Sequence, residues 1–192
     1  GQLTVLYILC LKLAIVRKNI DEATYEKNIK SLKKLPEAIK ECLKNETNVQ
    51  LMAKEFLLAK GSMFLGRGSS YPIALEGALK LKELSYLHAE GYPAGEMKHG
   101  PLALIEEGLP VIILAPKDKY FEKTISNMQE VIARGGKILF ITDKKKESLN
   151  ENIRFGLRVP YLDNLLSPIL LAVPLQLLAY HVALLKNCDV DK

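Results

Sequence analysis

Short apolar runs alternate with helical patterns from residue 61 onward. Three short apolar runs, two of them rich in β-branched residues, predict strands that are buried on both faces, as the strands of a parallel sheet are: SMFLG at 62–66, PVIILA at 110–115 and KILFIT at 137–142. Weaker strand patterns lie at 85–92 and 156–160. Helical patterns separate the runs, at 71–86, 118–134 and 166–187. This alternation predicts an α/β fold, a doubly wound three-layer α/β/α domain with a mainly parallel sheet.

Helical patterns also precede this domain. Residues 1–16 are almost entirely apolar, and residues 19–60 carry charged helical patterns with a boundary at Pro36. The first pattern begins abruptly, without a capping residue or a turn before it, which suggests a cut through a longer protein. It also lacks a basic leader and a small-residue cleavage site, so it does not have the pattern of a signal peptide.

The last apolar stretch, SPILLAVPLQLLAYHVALLKN at 167–187, approaches the length that spans a membrane. It carries Pro168, Pro174, Gln176 and His181 among its apolar residues. A buried helix of the α/β domain explains this composition better than a membrane span does. We therefore expect no membrane contact, and we expect His181 to be a core residue whose polar atoms are satisfied.

The composition is compatible with a small anionic partner. The chain has 27 Lys and Arg against 22 Asp and Glu, which gives a net charge of +5. The lysine runs at 30–34 and 144–146 have no interleaved aromatic side chains on which bases would stack, so no nucleic acid is expected. Cys10, Cys42 and Cys188 lie far apart, without a CxxC motif or a histidine at metal spacing. This predicts buried thiols in a reducing compartment, a cytoplasmic location and no metal site.

A charged stripe marks the helix predicted at 71–86. Glu76, Lys80 and Glu83 fall within an arc of about 60° on a helix. Most other positions are apolar, so the pattern predicts a narrow stripe on an otherwise buried helix, as at the wall of a cleft. A Glu76–Lys80 pair one turn apart is a common structural ion pair on solvated helices. Glu83 favours chemistry, because one lysine cannot neutralise two carboxylates and one acid is left poised for proton transfer.

A histidine follows the stripe in a loop of fixed shape. In EGYPAGEMKHGPLALI, Gly100 and Pro101 hold His99 at a defined turn. A histidine in such a setting, close in sequence to the acidic stripe, is a candidate acid or base near neutral pH. His88 has no comparable setting, and its role stays open.

The loops after the strands are the expected ligand-binding region, because ligands of doubly wound sheets gather at the carboxyl ends of the strands. Three loops fit that description: 66–71, 91–101 and 115–118. The first of them, GRGSSY, links a strand to a helix and has the composition to present amide N–H groups to a phosphate. It does not complete a GxGxxG motif, so this indication is weak.

Two stretches carry a resemblance to a known family: LGRGSSYPIALEGALKLKELSYLHAEGYPAGEMKHGPLALI and VPLQLLAYHVALLKNCDVDK. They resemble the second sugar-isomerase (SIS) domain of the glucosamine-6-phosphate synthases, the isomerising glutamine:fructose-6-phosphate aminotransferases. The resemblance runs to the C-terminus and makes 46–192 the expected second SIS domain. Residues 1–16 resemble the trailing helix of a preceding SIS domain, with 17–45 as a helical connector.

The resemblance implies a role for each residue of the stripe. Glu83 matches the family's base, which moves a proton between C1 and C2 of the open-chain sugar. Lys80 and Glu76 match the charged residues beside that base, with Glu76 in substrate binding. His99 matches the histidine that assists opening of the sugar ring and reaches into the neighbouring subunit's site, which implies a homodimer. No cofactor and no metal are implied.

The implied reaction makes glucosamine 6-phosphate from fructose 6-phosphate and glutamine-derived ammonia. In the family, a glutaminase domain supplies the ammonia, a first SIS domain holds the sugar phosphate, and a C-terminal tail carries a lysine that forms an imine with the sugar. This sequence contains none of the three, so we expect the chain to be inactive alone and to need those missing parts as partners. The alternative is a non-catalytic SIS module that binds a sugar phosphate and regulates a partner, since fold alone does not separate the two.

Overall fold

Five parallel strands form a sheet in the computed structural model, which describes residues 1–144, 153 and 155–191. The strands are β1 (Gly61–Gly66), β2 (His88–Pro93), β3 (Pro110–Leu114), β4 (Lys137–Thr142) and β5 (Phe155–Arg158). Their order across the sheet is β2-β1-β3-β4-β5, and each pairing is parallel. The predicted α/β fold with a parallel sheet is confirmed, and the two weaker strand patterns correspond to β2 and β5.

The helices agree with the predicted alternation. The α-helices of the described residues are α1 (Gln2–Val16), α2 (Glu22–Lys33), α3 (Leu35–Leu43), α4 (Glu46–Ala53), α5 (Ser70–Ser85), α6 (Phe121–Ile132) and α7 (Ser167–Leu185). Short 3₁₀ helices lie at Lys54–Phe56, Ala94–His99 and Pro101–Leu104. The start of α6 is later than the predicted residue 118. There the side chain of Asp118 accepts a hydrogen bond from the backbone N–H of Tyr120 at 2.8 Å, which closes a turn before the helix begins.

Helices cover both faces of the sheet, which gives the predicted three layers. Successive strand residues point to opposite faces, so neighbouring residues belong to different apolar clusters. Phe64 and Leu139 face α3, α4, α5 and α7, whereas Met63 and Phe140 face α6 and the 3₁₀ helix that follows β2. Because α5 and α6 connect parallel strands on opposite sides, the sheet is buried on both faces, as its β-branched sequence predicts.

The long apolar helix α7 is a core helix. Among the described residues, one helix has the length and composition to cross a membrane, and that is α7. Half of its apolar window is buried inside the protein, where Leu170, Leu175 and Leu178 pack in the same cluster as α5. Pro174 lies within α7 without ending it. The helix therefore buries most of its leucines in the protein interior, as the prolines and the histidine of its sequence indicated, and leaves Leu184 and Leu185 exposed at its end.

The first helix is mostly uncovered. Within α1 the structure buries Leu11, while Val5, Leu6 and Val16 are more than half exposed. The hydroxyl of Tyr7 donates a hydrogen bond to Asn28 Oδ1 at 3.1 Å and fixes α1 against α2. An apolar groove of about 510 Å³ runs between α1, α2 and the start of α7. The interpretation of residues 1–16 as the end of a preceding domain stays a prediction.

The three thiols lie in different environments. Cys42 on α3 is 1% exposed, Cys188 is half-buried and Cys10 on α1 is exposed, and all three are free thiols. The prediction of buried thiols is therefore correct for Cys42 and wrong for Cys10. The neighbours of Cys10 in the sequence are apolar, which suggested burial. However, Cys10 lies on α1, the helix that the rest of the chain leaves mostly uncovered.

We expect a thiol reagent to label Cys10 quickly and Cys42 very slowly in the folded chain. Burial raises the pKa of Cys42 to about 11, and the nearby charge of Glu41 adds to this effect. At about pH 8 only about one thiol in a thousand is then the reactive thiolate. Labelling with a disulfide reagent, assigned by mass spectrometry with and without urea, measures both rates. Equal rates for the two thiols in the folded chain would contradict this expectation.

Candidate functional site

The charged residues of the predicted stripe lie together on α5. The ammonium nitrogen of Lys80 is 2.6 Å from Glu83 Oε2, an ion pair between residues three positions apart. Glu76 lies one turn before Lys80 and is half-buried. Within the described residues, the ion pair of Lys80 is with Glu83 and not with Glu76. The structural alternative named from the sequence, a Glu76–Lys80 ion pair, is therefore not the pair that forms.

The stripe is more exposed than its sequence suggests. The side chains of Lys80 and Glu83 are 33% and 50% exposed, and the neighbouring Leu75 and Leu79 are more than 40% exposed. The prediction of an otherwise buried helix is therefore wrong. Gly77 explains the difference, because a Cβ at that position would lie 2.7 Å from Leu175 and 3.0 Å from Phe64. The helix packs closely through its small residues and leaves two leucines outside beside the charges.

The ion pair with Glu83 changes the pKa of Lys80, which a titration can test. The hydrogen bond to Glu83 raises the pKa of Lys80 above its usual value, partial burial opposes this, and the charges of Glu83 and Glu76 add to the increase. Because the pKa is raised by folding, the pair stabilises the fold below the unfolded-state pKa. That stabilisation is lost as the pH rises through the folded-state pKa.

We expect Glu83→Gln to lower the pKa of Lys80 toward that of an ordinary lysine, because the main cause of the increase is removed. A titration of the Lys80 ¹³Cε chemical shift measures this change. The control Glu96→Gln removes a carboxylate from the 3₁₀ helix after β2 and should leave the titration of Lys80 as it is. An unchanged Lys80 titration in Glu83→Gln would show that the ion pair does not persist in solution.

The structure does not bring His99 to Glu83 within one chain. Glu83 lies in the last turn of α5, just before β2 begins, whereas His99 ends the 3₁₀ helix that follows β2. The six residues of β2 therefore separate them, a span of about 20 Å at the usual rise of a strand. The His99 side chain is 75% exposed, and its Nε2 is 3.9 Å from Glu96 Oε2. His99 is thus presented at the carboxyl end of the sheet, and Glu83 at the amino end.

The loop after β1 has fewer free amide groups than its sequence suggests. The backbone N–H of Ser70 donates to the carbonyl of Arg67 at 3.0 Å, and that of Tyr71 donates to Gly68 at 3.2 Å. The ring of Tyr120 covers the loop, since a Cβ at Gly68 would lie 2.7 Å from it. The predicted phosphate contact at 66–71 stays a prediction, with fewer donors available to make it.

Sequence reasoning did not select the polar face of the edge strand β2. His88, Glu90 and Tyr92 alternate along this strand and therefore share one face. The Tyr92 hydroxyl donates a hydrogen bond to Glu90 Oε2, and His88 Nε2 is 3.6 Å from Glu90 Oε1. The hydrogen bond to Glu90, followed by burial, raises the pKa of Tyr92. The alternation of polar residues at 88, 90 and 92 is the signal in the sequence that could have identified this face.

His181 is buried, as predicted from its place on an apolar helix. Its side chain on α7 is 8% exposed, and its Nε2 is 3.2 Å from Glu46 Oε1 at the start of α4. Nε2 has no partner with hydrogen-bond geometry among the described residues, so the expectation that the polar atoms of His181 are satisfied is wrong for this nitrogen. His181 therefore joins α7 to α4 inside the fold and lies apart from the α5 stripe.

The parallel sheet, together with the charged stripe on α5, defines the class of the protein. The model of the SIS domain family matches residues 56–186, and the chain therefore belongs to the SIS domain family. The match begins inside the predicted second domain, so the boundaries placed after residues 16 and 45 stay predictions.

Curated relatives and a solved structure confirm the resemblance to the aminotransferases. Glutamine–fructose-6-phosphate aminotransferase [isomerizing] from Bartonella henselae is 48% identical over 192 residues, which is all of this chain and 32% of that protein. The enzyme of the same name from Bordetella pertussis is 49% identical over 191 residues. The C-terminal domain of glucosamine-fructose-6-phosphate aminotransferase from Francisella tularensis superimposes with a TM-score of 0.95 at 42% identity, covering 98% of this chain and 54% of the other. The chain thus spans about a third of the length of these curated relatives.

Proposed function

We propose that this chain is the isomerase part of an enzyme that makes glucosamine 6-phosphate from fructose 6-phosphate and glutamine-derived ammonia. The observation that carries the proposal is the Lys80–Glu83 contact of 2.6 Å on α5, with Glu76 one turn away. The 48% identity of the whole chain to an isomerising aminotransferase supports it. The location that goes with this function, the cytoplasm, rests on the sparse free thiols alone.

In the proposed mechanism, Glu83 is the base. Ammonia first condenses with the C2 carbonyl of the open-chain sugar, and water leaves. The Glu83 carboxylate then removes a proton from C1, so that a C1–C2 double bond forms and the C2–N double bond becomes single. The same group returns a proton to C2 as the C1 hydroxyl loses its proton and becomes an aldehyde. The Lys80 ammonium, 2.6 Å from Glu83 Oε2, holds this carboxylate in a defined position on α5. Lys80 also stabilises the negative charge that develops on the sugar oxygen. Glu76 binds the substrate beside this pair.

His99 assists ring opening in the site of the neighbouring subunit of a homodimer. Ring opening needs a group that gives and takes a proton near neutral pH, which an imidazole does. The separation of His99 and Glu83 at the two ends of β2 supports a site shared between subunits, because one chain does not bring them together. The exposure of the His99 side chain leaves it free to reach a partner.

The test of the proposed function uses a protein with the full length of the aminotransferase relatives, in which this chain is the C-terminal part. It receives fructose 6-phosphate and glutamine in D₂O, and mass spectrometry follows the product. We expect glucosamine 6-phosphate that carries some solvent deuterium at C2, because a carboxylate base exchanges its proton with water. This chain alone should form no product.

A second function is a non-catalytic module that binds a sugar phosphate. The half-exposed Lys80–Glu83 pair favours it, because solvated ion pairs of this kind are common and most have only a small structural effect. Sugar-phosphate binding by the full-length protein, with no glucosamine 6-phosphate formed, would establish this second function.

Mixed dimers test the shared site directly. We expect Glu83→Gln and His99→Asn chains, each inactive alone, to recover about a quarter of the wild-type activity when co-expressed in equal amounts. Half of the dimers are then mixed, and each mixed dimer has one site with both Glu83 and His99. If both groups acted within one chain, every site would lack one of them and activity would not return. Product formation is measured first in the co-expressed mixture and then in mixed dimers purified through two different affinity tags, where the recovery should rise to about half of the wild-type activity.

A further inference from the structure

A polar cavity lies at the carboxyl ends of the strands, away from Lys80 and Glu83. It has a volume of about 290 Å³ and lies between the loop after β1, the 3₁₀ helix after β2 and α6. β1 and β3 are neighbours in the sheet, and the connections that follow them, α5 and α6, run on opposite faces. The cavity lies near the point where these two connections diverge. Crevices at this point are the usual ligand sites of doubly wound sheets.

An arginine is held in place at the wall of this cavity. Arg67 Nε donates a hydrogen bond to Asn127 Oδ1 at 3.1 Å, and Asn127 is 7% exposed. The guanidinium lies close to Gly95, where a Cβ would be 2.9 Å from Arg67 Nη2. Among the described residues, the terminal nitrogens of Arg67 make no hydrogen bond. These two nitrogens carry four N–H groups, held in one plane by the packing of the guanidinium, that are available to a ligand.

The cavity has an excess of positive charge. Lys98 and Lys123 line it together with Arg67, and Glu130 is the one carboxylate among its lining residues. The Lys98 ammonium is 3.0 Å from Glu130 Oε1, which positions this lysine at the rim. Lys123 lies in the first turn of α6, where the helix dipole adds to its positive charge. The hydroxyl of Ser126, one turn further along α6, supplies an uncharged donor.

We propose that this cavity binds the phosphate group of a small phosphate monoester. The planar guanidinium of Arg67 donates two hydrogen bonds to phosphate oxygens, while Lys98 and Lys123 supply charge and Ser126 donates a third hydrogen bond. The volume is near the lower end of those of small-molecule sites, which suits a phosphate with a small polar group attached. The site is separate from the α5 stripe, and the proposal does not depend on isomerase activity.

The test is a titration of the ¹⁵N-labelled chain with inorganic phosphate near pH 7.5 at low salt. We expect amide shifts centred on Arg67, Lys123, Ser126 and Asn127. We expect Arg67→Gln to weaken binding by about ten-fold or more, because it removes charge-assisted hydrogen bonds. Lys123 is exposed, and Lys123→Gln should weaken phosphate binding by about three-fold without disturbing the hydrogen bond between Arg67 and Asn127. The matched control is Lys82→Gln, which removes an exposed lysine from α5 and should leave binding unchanged.

Several results would overturn the proposal. One is the absence of shifts at these amides, which would leave the basic cavity as a contact for an acidic protein segment. Another is a set of shifts centred on Lys80 and Glu83. A third is an equal loss of affinity in Lys82→Gln and Lys123→Gln, which would mean general charge attraction. Because the readout is binding at named residues, its failure is distinct from a failure of the proposed isomerase function.

Discussion

The Glu83→Gln variant of the full-length protein is expected to form glucosamine 6-phosphate about 10²- to 10⁴-fold more slowly, the usual effect of losing a general base. Glutamine has nearly the same shape but does not accept the C1 proton. The side chain is half exposed at the end of a well-packed helix, so the substitution should leave the fold intact. The loss should appear in kcat with little change in KM, because the group acts in the proton transfer more than in binding.

The measurement follows glucosamine 6-phosphate and glutamate in parallel. Glutamate release reports any glutaminase activity of the same protein, so its persistence shows that the variant is folded. The matched control is Lys82→Gln, which changes the adjacent exposed residue without removing a stripe charge. Product formation by Glu83→Gln at the wild-type rate would reduce the Lys80–Glu83 contact to a surface ion pair. The non-catalytic module would then be the better description.

The largest effect on stability is expected for Gly66→Ala, at the end of β1. A Cβ at Gly66 would lie 2.3 Å from the carbonyl oxygen of Ser70 and 2.5 Å from its carbonyl carbon. These are backbone atoms at the start of α5, fixed by the hydrogen bonds that Ser70 and Tyr71 donate to the preceding turn. The helix has to move away from the strand to admit the methyl group. We expect a loss of about 3 kcal/mol in the free energy of unfolding, as for a severe overpacking change.

Urea unfolding followed by circular dichroism measures this loss. Gly61→Ala, at the other end of β1, is the matched control. A Cβ at Gly61 would lie 3.3 Å from its nearest neighbour, the carbonyl oxygen of His88. That atom needs to move by only a few tenths of an ångström. We expect a clearly smaller loss for Gly61→Ala. Equal losses at the two positions would mean that the cost comes from the general loss of glycine in a strand and not from the turn at Gly66.

The sequence was most informative where a residue's environment follows from its own local pattern. The apolar runs at 62–66, 110–115 and 137–142 are buried on both faces, which fixes both their type and their parallel arrangement. The alternation with long helical patterns then leaves little choice of fold. The motif of α5 was equally recognisable, because it depends on residues close together in the chain.

Contacts between elements were less predictable. The exposure of Leu75 and Leu79 depends on how closely Gly77 lets α5 approach Phe64 and Leu175, which a binary pattern does not contain. His99 and Glu83 are 16 residues apart in the chain and so appeared close. A whole strand lies between them, and its direction carries His99 to the far end of the sheet. The cavity beside Arg67 joins three elements, and no single motif marks it.

The length of β2 also has a consequence for how such an enzyme responds to dilution. If each site takes its base from one subunit and its histidine from the other, a separated subunit contains no complete site. Specific activity would then fall as the protein is diluted below the dissociation constant of the dimer, and it would return on concentration. The strand that keeps His99 and Glu83 apart would thereby make subunit association a condition for turnover.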